Sequence, residues 1–340
     1  MRTLPYRSYT DPDMLARERA LLFAPAWQYA GHLGELPEPG SYFTCRVADV
    51  PIVVVRDREG ELRAFVNVCR HRGAEVVSGS GRCTTLQCHY HAWTYGLDGA
   101  LRAAPRSDGD PEFDRAELGL RRARVDTWGP FVFVNAREDA APLAQTLGPL
   151  PDIVRARGLD VDALAFHHRV RYTVDANWKV AIENYLECYH CAVAHPSFSD
   201  VVDVRPDAYE LESHPTFASH YGHARNGDSQ GQFHLVWPAL KFNVMPAGAP
   251  NLSIGPMEPV SPGRTDGFLD YFFAPDATDE WIASFLELDD QVGAEDSALV
   301  ASVQRGMESG AFEHGRLLLP GEELIAAFQR WVSAEILRER

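Results

Sequence analysis

The start of the chain carries apolar residues at the spacing of an α-helix. Asp11 and Pro12 are typical of a helix start. The apolar positions that follow are Met14, Leu15, Leu21 and Leu22. Glu18 interrupts this apolar stripe with a charge. The pattern predicts an N-terminal helical segment, residues 1–37, that packs on the domain formed by the second half of the chain.

From about Gly40 the pattern changes to short strands separated by turns. The strand-like runs are residues 51–56, 62–68, 94–101 and 130–135. The third run contains Asp98-Gly99, a dipeptide that is typical of a tight hairpin turn. The fourth run is continuously apolar after its proline, as is typical of a buried strand. These features predict a small all-β domain over residues 38–140.

The second half of the chain mixes helical and strand-like patterns. After a Pro- and Ala-rich stretch at residues 141–151, we expect a helix to begin near Ala176-Asn177. Strand-like segments follow from about residue 205 to 275, and helical patterns return from Asp279 onward. We therefore predict a second domain over residues 141–340, with strands between helical ends, and an α+β fold class for the chain.

Composition limits the classes of function that are open to the chain. The 340 residues carry a formal net charge of −16 with scattered basic residues, which argues against a nucleic-acid or anionic-membrane surface. No apolar run approaches the ~20 residues that span a bilayer, and the first residues lack the apolar core of a signal peptide. We expect a cytoplasmic protein whose six cysteines stay reduced or bind metal rather than form disulfides.

Two short loops of the predicted all-β domain each supply one cysteine and one histidine. Cys69 and His71 are followed, after 16 residues, by Cys88 and His91. In a Rieske 2Fe–2S cluster two His replace two Cys on one iron. The alternative is a Cys2His2 zinc site; the mixed loops favour the cluster, because zinc fingers usually pair Cys with Cys and His with His. The spacing from Cys83 to Cys88 resembles the cysteine spacing of plant ferredoxins, and we interpret Cys83 as a structural thiol.

These loops resemble the Rieske non-haem iron oxygenases. The pattern Cys-x-His-x16-Cys-x2-His is followed here by Ala92-Trp93-Thr94-Tyr95 and by Leu97-Asp98-Gly99. The family often has Pro where this chain has His89 and Gly where it has Ala92, and neither position supplies a ligand. The resemblance implies the large (alpha) subunit of a terminal oxygenase, with a Rieske 2Fe–2S domain and a helix-grip catalytic domain that holds a mononuclear Fe(II).

A second group of metal-ligand types lies near the middle of the chain. On a continuous helix, Glu183, Glu187 and His190 share one face at positions i, i+4 and i+7. Pro196 disfavours helical geometry at His195, so the helix can end there and turn His195 back towards a metal. Two imidazoles and one carboxylate form the facial triad of non-haem Fe(II) oxygenases, which leaves positions open for O2 and substrate.

The carboxylate of this triad must come from another part of the chain. The segment that best resembles the family's ligand helix contains Asp296, which we take with His190 and His195 as the iron ligands. The competing carboxylates are Asp289, Asp290 and Glu295. We expect Asn184 to support the metal ligands. The residues that we interpret as structural are His220, His223, His234 and the core residue Trp178.

The resemblance also implies how electrons reach the iron. Members of the family are usually rings of three subunits, in which an acidic residue bridges the second Rieske histidine to the first iron histidine of a neighbouring subunit. This implies a homotrimer with Glu187 between His91 of one subunit and His190 of the next. The chain shows no Rossmann fingerprint, because Gly79-Ser-Gly81 does not open a helix. A separate flavin and iron–sulfur reductase is expected to deliver electrons that come ultimately from NAD(P)H.

The residue at position 187 indicates which members of the family the chain resembles most. Naphthalene-dioxygenase-like members have Asp there, whereas Glu187 resembles the enzymes that act on quaternary ammonium compounds, the glycine betaine and carnitine monooxygenase group. Aromatic rings bind such cations, although aromatic residues of strands are more often core. The candidate pocket residues are Tyr185, Tyr221, Phe233, Trp237 and Phe242, with Tyr185 and Trp237 placed first.

We therefore expect a monooxygenase that uses O2 to hydroxylate or N-demethylate a small methylated amine or betaine. Hydroxylation of an N-methyl carbon would give an amine and an aldehyde. The alternative within the family is an aromatic-ring hydroxylating dioxygenase. Outside it, the alternatives are a pure electron-transfer protein and a zinc-stapled binding module.

Overall fold

The computed structural model describes residues 1–227 and 229–337 and divides them into two compact units. The first, here called the β unit, comprises Phe23–Gln145. The second, here called the mixed unit, comprises Met1–Leu22 and the described residues from Thr146 onward. The predicted boundary at residue 37 therefore differs from the structure. Residues 23–37 lie in the β unit, because a strand at residues 28–32 completes the edge of its sheet.

Antiparallel strands form the β unit, in agreement with the predicted all-β character. Its strands are β1 Gln28–His32, β2 Ser41–Val47, β3 Val50–Arg56, β4 Leu62–Val66, β5 Ser80–Arg82, β6 Leu86–Gln87, β7 Thr94–Tyr95, β8 Leu101–Ala103, β9 Arg122–Trp128 and β10 Phe131–Asn135. Within the described residues they form a seven-stranded sheet of order β1-β10-β9-β4-β3-β2-β5 and a three-stranded sheet of order β6-β7-β8.

Alternate residues of the central strands pack on opposite faces of the larger sheet, as the period of two requires. Val53 and Val55 belong to one buried cluster, whereas Ile52 and Val54 belong to another. The first cluster also contains both candidate cluster cysteines, Cys69 and Cys88. The two cysteine loops therefore rest on a packed face of the sheet.

The mixed unit combines a larger antiparallel sheet with helices, which confirms the predicted α+β class. The strands are β11 Ala165–Val174, β12 Tyr209–Ser213, β13 Phe217–His223, β14 Gln230–Val236, β15 Leu240–Val244, β16 Asn251–Ser261 and β17 Arg264–Phe273. In the described part of the chain their order is β11-β17-β16-β15-β14-β13-β12. One row of residues in register crosses this sheet: His220, Phe233, Asn243, Ser253 and Tyr271. Residues in such a row share one face of the sheet.

The helices lie at both ends of the chain, between β10 and β11, and between β11 and β12. They are α1 Arg7–Thr10, α2 Pro12–Glu18, α3 Leu143–Leu147, α4 Leu150–Ala156, α5 Trp178–Tyr185, α6 Cys191–Ala194, α7 Pro196–Val201, α8 Asp279–Glu308 and α9 Glu323–Leu337. Shorter turns are the π-helical Arg19–Phe23 and the 3-10 turns Leu33–Glu35, Ser107–Gly109, Arg115–Leu118 and Val161–Ala163. None of the described helices is long and apolar enough to cross a membrane.

Helix α2 begins where the sequence predicts. The Asp11 carboxylate accepts a hydrogen bond from the Asp13 amide over 2.9 Å, and Pro12 occupies the first turn. The helix ends at Glu18, the residue that interrupts the apolar stripe. Glu18 is fully buried, with Lys179 Nζ 2.7 Å from its Oε1. The charge in the stripe therefore has a buried partner on α5.

Candidate active site

Two turns of the same construction present the cysteine–histidine pairs of the β unit. The Gly73 amide donates to the Cys69 carbonyl over 3.0 Å, and the Ala92 amide donates to the Cys88 carbonyl over 3.0 Å. Gly73 and Ala92 both have a left-handed backbone, with φ of +78° and +58°. Glycine adopts this conformation without strain. The geometry therefore explains why glycine suits the position that Ala92 occupies in this chain.

Each turn buries its cysteine and exposes its histidine. Cys69 and Cys88 are 4% and 2% exposed. His71 and His91 are both exposed, with 4.6 Å between their ring centroids. Tyr95 supports the inner side, with its Oη 3.3 Å from Cys69 Sγ. Two inner thiolates and two outer imidazoles match a Rieske cluster, in which one iron has Cys ligands and the other has His ligands.

The spacing of these donors is less suited to a single zinc ion. Ligand atoms around tetrahedral zinc lie roughly 3.3–3.8 Å apart. Within the described ranges, the one group of three or more His, Cys, Asp or Glu residues whose ligand atoms all lie within 4.8 Å of one another is in the mixed unit. The four residues of the β unit therefore fit a wider, two-iron group. Cys83 is a half-buried free cysteine that packs against the core.

Helix α5 ends before it reaches the histidines of the mixed unit. The Asn177 side chain caps its start by accepting the Lys179 amide over 3.1 Å. After Tyr185 the chain leaves the helix, because the Glu187 carboxylate accepts the amides of Tyr189 and His190 and begins a new turn. The prediction of one helical face shared by residues 183, 187 and 190 is therefore wrong.

Glu183 serves a different part of the mixed unit. Its Oε1 accepts hydrogen bonds from Tyr9 Oη over 2.7 Å and from Gln329 Nε2 over 3.0 Å. Burial raises the pKa of Glu183 to about 7, although these hydrogen bonds oppose the shift. Glu183 thus connects α5 to the N-terminal segment and to α9 rather than to the metal ligands.

A buried ion pair fixes the start of α5. Lys179 and Glu18 are both fully buried, and Lys179 Nζ also donates to Asn177 Oδ1 over 2.8 Å. The indole Nε1 of Trp178 donates to Glu18 Oε2 over 2.8 Å. Oε1 makes a close ion pair with the ammonium at 2.7 Å without hydrogen-bond geometry. Trp178 is thus a core residue, as the sequence suggests, and its indole N–H also takes part in the polar network around Glu18.

The structure brings together the three predicted iron ligands. His190 Nε2 and His195 Nε2 are 3.1 Å apart, and Asp296 Oδ1 lies 3.4 Å and 3.0 Å from these two atoms. Ligand atoms about 2.1 Å from one ion at octahedral angles are roughly 3.0 Å apart. His195 is not helical: it ends α6 and precedes Pro196, the first residue of α7. The three side chains therefore fit a single mononuclear metal ion.

Acidic and amide groups hold each of these three side chains in place. His190 Nδ1 donates to Glu187, and His195 Nδ1 donates to Glu295 Oε2 over 2.7 Å. Asn184 Nδ2 donates to Asp296 Oδ1 over 2.7 Å. A carboxylate on Nδ1 fixes the tautomer in which Nε2 is the free ligand atom. Sequence reasoning treated Glu295 as a competing ligand and missed this supporting role.

The three side chains also form a strongly coupled electrostatic group. Burial lowers the pKa of His190, but Asp296 and Glu187 outweigh it and raise the pKa to about 9. Burial would raise the pKa of Asp296, yet hydrogen bonds from both histidines and Asn184 hold it well below its usual range. The group therefore favours a positive charge at its centre, which a divalent metal ion supplies.

Two of the competing carboxylates lie outside the group of ligands. Asp289 Oδ2 accepts a hydrogen bond from Tyr271 Oη over 2.5 Å, and burial raises the pKa of Asp289. Asp290 is exposed on α8. Neither belongs to the group of three ligands.

A disulfide joins Cys188 to Cys191 on either side of His190. The expectation that all six cysteines stay reduced or bind metal is therefore wrong for this pair. The physical reason is local: the turn that Glu187 begins brings the two Cα atoms to 4.9 Å, within the range that a disulfide spans. The bridge closes the segment that carries the first histidine ligand.

A cavity of about 820 Å³, including its open mouth, adjoins the three ligands. His190, His195 and Asp296 line it together with Glu187 and Asn184. Five of the side chains that line the cavity carry rings, and together they are here called the aromatic wall: Tyr185, Phe198, Tyr209, His220 and Phe233. Lys241, Asn243 and Asp289 add polar groups. An apolar pocket with a few convergent polar groups is typical of a small-molecule site.

Two of the five predicted pocket aromatics line this cavity, namely Tyr185 and Phe233. The placement of Trp237 in the pocket is wrong, because its ring packs against Phe328 and Trp331 of α9. Phe242 is fully buried against His234. The Arg157 guanidinium lies over the Tyr221 ring, with its Cζ atom 3.4 Å from the ring centroid. Tyr221 and Phe242 lie on the opposite face of the sheet from the row that contains Phe233, a distinction that only the strand register reveals, whereas Trp237 lies beyond the end of β14.

His220 does more than the structural role that we expected of it. It lines the cavity, and its Nδ1 is hydrogen-bonded to Tyr209 Oη over 2.7 Å. Burial lowers its pKa to about 3, so the ring is a neutral member of the aromatic wall. His234 remains structural, fully buried and bonded to Ser219 over 2.7 Å, and His223 is exposed near Glu210.

Comparisons with known proteins agree with both centres. The chain matches the Rieske [2Fe-2S] domain over residues 26–118 and the catalytic domain of the ring hydroxylating alpha subunit over residues 161–237 and 215–337. It is 34% identical over 351 residues to the carnitine monooxygenase oxygenase subunit of Acinetobacter pittii, covering 97% of this chain and 94% of that protein. It is 32% identical over 345 residues to the chloroplastic choline monooxygenase of Spinacia oleracea, covering 97% of this chain and 77% of that protein.

Solved structures show the same fold. The quaternary ammonium Rieske monooxygenase CntA in complex with L-carnitine superposes with a TM-score of 0.89 at 33% identity, over 98% of this chain and 95% of that one. Naphthalene 1,2-dioxygenase from Rhodococcus sp. superposes with a TM-score of 0.81 at 19% identity, over 99% and 95%.

Proposed function

Because the chain belongs to the Rieske non-haem iron oxygenases, we propose that it is an oxygenase component that oxidises a small quaternary ammonium compound. The observation that carries this proposal is the cavity beside His190, His195 and Asp296, whose aromatic wall suits a quaternary cation. Relatives that match nearly the whole chain are named as carnitine and choline monooxygenases. The residues of both centres fit the cofactors of the family.

Cys69, His71, Cys88 and His91 would hold the 2Fe–2S cluster. His190, His195 and Asp296 would hold the mononuclear iron. When bound, the two groups supply electron transfer and O2 activation. The protein orients the substrate, restricts water and keeps the ligand atoms in place.

The carboxylates around the histidines prepare the site for a metal. Glu187 and Glu295 accept the Nδ1 protons, so both Nε2 lone pairs are available on the side that faces Asp296. Asn184 occupies part of the Asp296 Oδ1 hydrogen-bonding capacity and restricts the rotation of that carboxylate. The open side of the three ligands faces the cavity in which the substrate would lie.

The proposed reaction inserts one oxygen atom into a C–H bond of a carbon attached to nitrogen. One O2, two electrons and two protons give the hydroxylated substrate and one water. The hydroxylated carbon then loses its bond to nitrogen, which yields a tertiary amine, an aldehyde and one proton. The aromatic wall would hold the cationic nitrogen by ring faces while leaving its carbon substituents free to react.

Single-turnover chemistry tests this function without a partner reductase. The reconstituted enzyme is reduced anaerobically, freed of reductant and mixed with O2 and a trimethylammonium compound. We expect amine and aldehyde in equal amounts, measured by mass spectrometry. Ring diol formation from an aromatic acid, with no amine released from any trimethylammonium compound, would instead support the aromatic-ring dioxygenase. The polar groups Lys241 and Asp289 in the cavity disfavour that alternative.

We also propose that the chain acts as a homotrimer with electron transfer between subunits. One of the related CntA structures is described as giving insights into inter-subunit electron transfer. Exposed apolar side chains flank both ends of the proposed route: Tyr90, 57% exposed, precedes His91, whereas Tyr189 and Val193, 68% and 88% exposed, flank His190. Such exposed apolar groups are typical of interaction surfaces. A separate flavin and iron–sulfur reductase would supply the electrons.

Glu187 is the proposed link between the two centres. We expect Glu187→Ala to retain both metals but to slow electron transfer from cluster to iron by about two orders of magnitude, because His190 loses the carboxylate on its Nδ1. Metal content and the Rieske absorption spectrum check the first part, and stopped-flow oxidation of the reduced cluster checks the second. Glu295→Ala, which removes the equivalent carboxylate from His195, is the matched control. Equal transfer rates in Glu187→Ala and wild type would contradict the proposed link.

A further inference from the structure

Lysine is rare in this chain. Of its 32 basic residues, Lys179 and Lys241 are the lysines and all others are arginines. Lys179 is fully buried in its ion pair with Glu18. Lys241 lies on β15, half-buried, and lines the cavity beside the metal ligands. A compact ammonium inside a substrate cavity requires an explanation of its own.

The Lys241 ammonium lacks an acceptor. In the described part of the chain it makes no hydrogen bond and has no carboxylate within 4.0 Å. Its contacts are ring faces: Nζ lies 4.9 Å from the centroid of Tyr172 and 5.8 Å from that of Tyr185. Ring faces attract a cation, but they do not satisfy its three N–H donors.

The Tyr172 hydroxyl is a second unpaired donor beside this lysine. Its Oη is buried and has no hydrogen-bond partner among the described residues. The ring lies over Gly267, where a Cβ would come within 2.6 Å of Oη, and Lys241 pairs across the sheet with Gly255. The Tyr172 ring fills the position that a Cβ would take at Gly267, and the Phe268 carbonyl fills the one at Gly255. The Tyr172 ring thus packs closely against β17, and the Lys241 ammonium lies over its face.

Both side chains nevertheless reach cavity space near the metal ligands. A second cavity, about 900 Å³ with its open mouth, is lined by Tyr172 and shares Lys241, Tyr185 and Asp296 with the first. Tyr185 is the member of the aromatic wall near the lysine: its ring centroid lies 5.8 Å from Lys241 Nζ and 5.4 Å from the His220 ring. An anionic group at Lys241 and a cationic group at the other rings of the wall would thus lie on two sides of Tyr185.

We propose that Lys241 and Tyr172 bind the carboxylate of a zwitterionic substrate whose quaternary ammonium contacts the aromatic wall. The ammonium and the hydroxyl would each donate to a carboxylate oxygen, and the charge-assisted bond from lysine contributes most of the affinity. The inference rests on the proposed function and narrows it: a trimethylammonium carboxylate is preferred over a cationic alcohol such as choline.

Charge balance for Asp289 is the competing role for Lys241. Asp289 lines the same cavities and already accepts a hydrogen bond from Tyr271. If Lys241 served only to neutralise Asp289, removing both charges together would restore ligand binding. The double variant Lys241→Gln/Asp289→Asn therefore separates the two roles.

Anaerobic titration calorimetry of the reconstituted enzyme tests the proposal with two probes, γ-butyrobetaine and its amide, which differ in the carboxylate charge. We expect wild type to bind the acid about tenfold or more tightly than the amide. Lys241→Gln should reduce this ratio to about one, and Lys241→Arg should retain it, because the positive charge remains. Tyr172→Phe should reduce the ratio about threefold by removing one neutral donor. Arg330→Gln, at an exposed position of α9, is the control and should keep the wild-type ratio.

The ratio distinguishes recognition from damage to the fold, since a structural defect weakens both probes equally. Equal loss for both probes in Lys241→Gln, or an unchanged ratio, would overturn the proposal while the proposed function stands. Recovery of the ratio in the double variant would overturn it in favour of charge balance. If wild type bound neither probe and released no amine from any trimethylammonium compound in single turnover, the proposed function would fail and this inference with it.

Discussion

Ala92 carries a cost that a single substitution can remove. Its φ of +58° lies in the left-handed region, in the turn that follows His91. Glycine reaches this region without steric cost, so we expect Ala92→Gly to stabilise the β unit by about 0.5–1 kcal/mol. The midpoint of urea unfolding, followed by the Rieske absorption, measures the change. Ala103→Gly in strand β8 is the control and should destabilise by a similar amount; a loss of stability in both variants would contradict the strain at position 92.

Glu183 makes the stability of the mixed unit depend on pH. Burial raises its pKa from 4.5 to about 7 in the folded chain. The folded state therefore binds this proton more tightly than the unfolded state does. The resulting stabilisation is fully present below pH 4.5 and is lost as the pH rises through about 7. The loss amounts to about 3 kcal/mol, from 1.36 kcal/mol per pKa unit.

Glu183→Gln should remove this pH dependence, because the amide stays neutral. We expect the variant to be more stable than wild type at pH 8 and close to it at pH 5, as measured by chemical unfolding at both pH values. Glu287→Gln, at an exposed position of α8, should leave the wild-type profile unchanged. A Glu183→Gln profile parallel to that of wild type would show that this carboxyl does not titrate in the range.

At the scale of elements, α5 shows what local sequence could and could not predict. The Asn177 cap and the non-helical His195 before Pro196 are local signals, and both were predicted correctly. The end of α5 at Tyr185 was missed, since it depends on the Glu187 side chain taking the amides of Tyr189 and His190. A helical period alone does not reveal a side chain that competes with the backbone.

The cavity shows the same limit for residues that are distant in the chain. The cysteine and histidine ligands have short, distinctive spacings, so the sequence was sufficient to predict both groups. The aromatic wall is assembled from α5, α7 and strands β12, β13 and β14, and the register of those strands decides which rings face the metal ligands. His220 faces the cavity and Trp237 does not. The residues next to them in the sequence do not predict this difference.

The ion pair between α2 and α5 should dominate the stability of these elements. Glu18→Gln leaves the fully buried Lys179 without a carboxylate, and we expect a loss of about 3–5 kcal/mol in the free energy of unfolding. Guanidinium unfolding of the mixed unit, followed by circular dichroism, measures it. The double variant Glu18→Leu/Lys179→Met should be more stable than Glu18→Gln, because no buried charge remains unpaired. A double variant that is less stable than Glu18→Gln would contradict this account.

At the scale of the whole molecule, the two candidate metal centres lie in different units of one chain. The exposed His91 and the Glu187-bound His190 mark the proposed exit and arrival points of the electrons. In a closed ring of three identical subunits, every contact between neighbours is the same directed junction. The proposed trimer thus makes each subunit a donor to one neighbour and an acceptor from the other.

Mixed trimers test this arrangement directly. His91→Ala removes a cluster ligand and His195→Ala removes an iron ligand, so each variant alone should be inactive. In a mixed trimer of either composition, one of the three directed junctions joins an intact cluster to an intact iron site across two subunits, which predicts about one third of the wild-type activity per trimer. The two variants, co-expressed with different affinity tags and purified through both, are assayed by single turnover. Inactive mixed trimers with full metal content at the intact sites would show that electrons pass within one chain, because only that route leaves every subunit in the mixture incomplete.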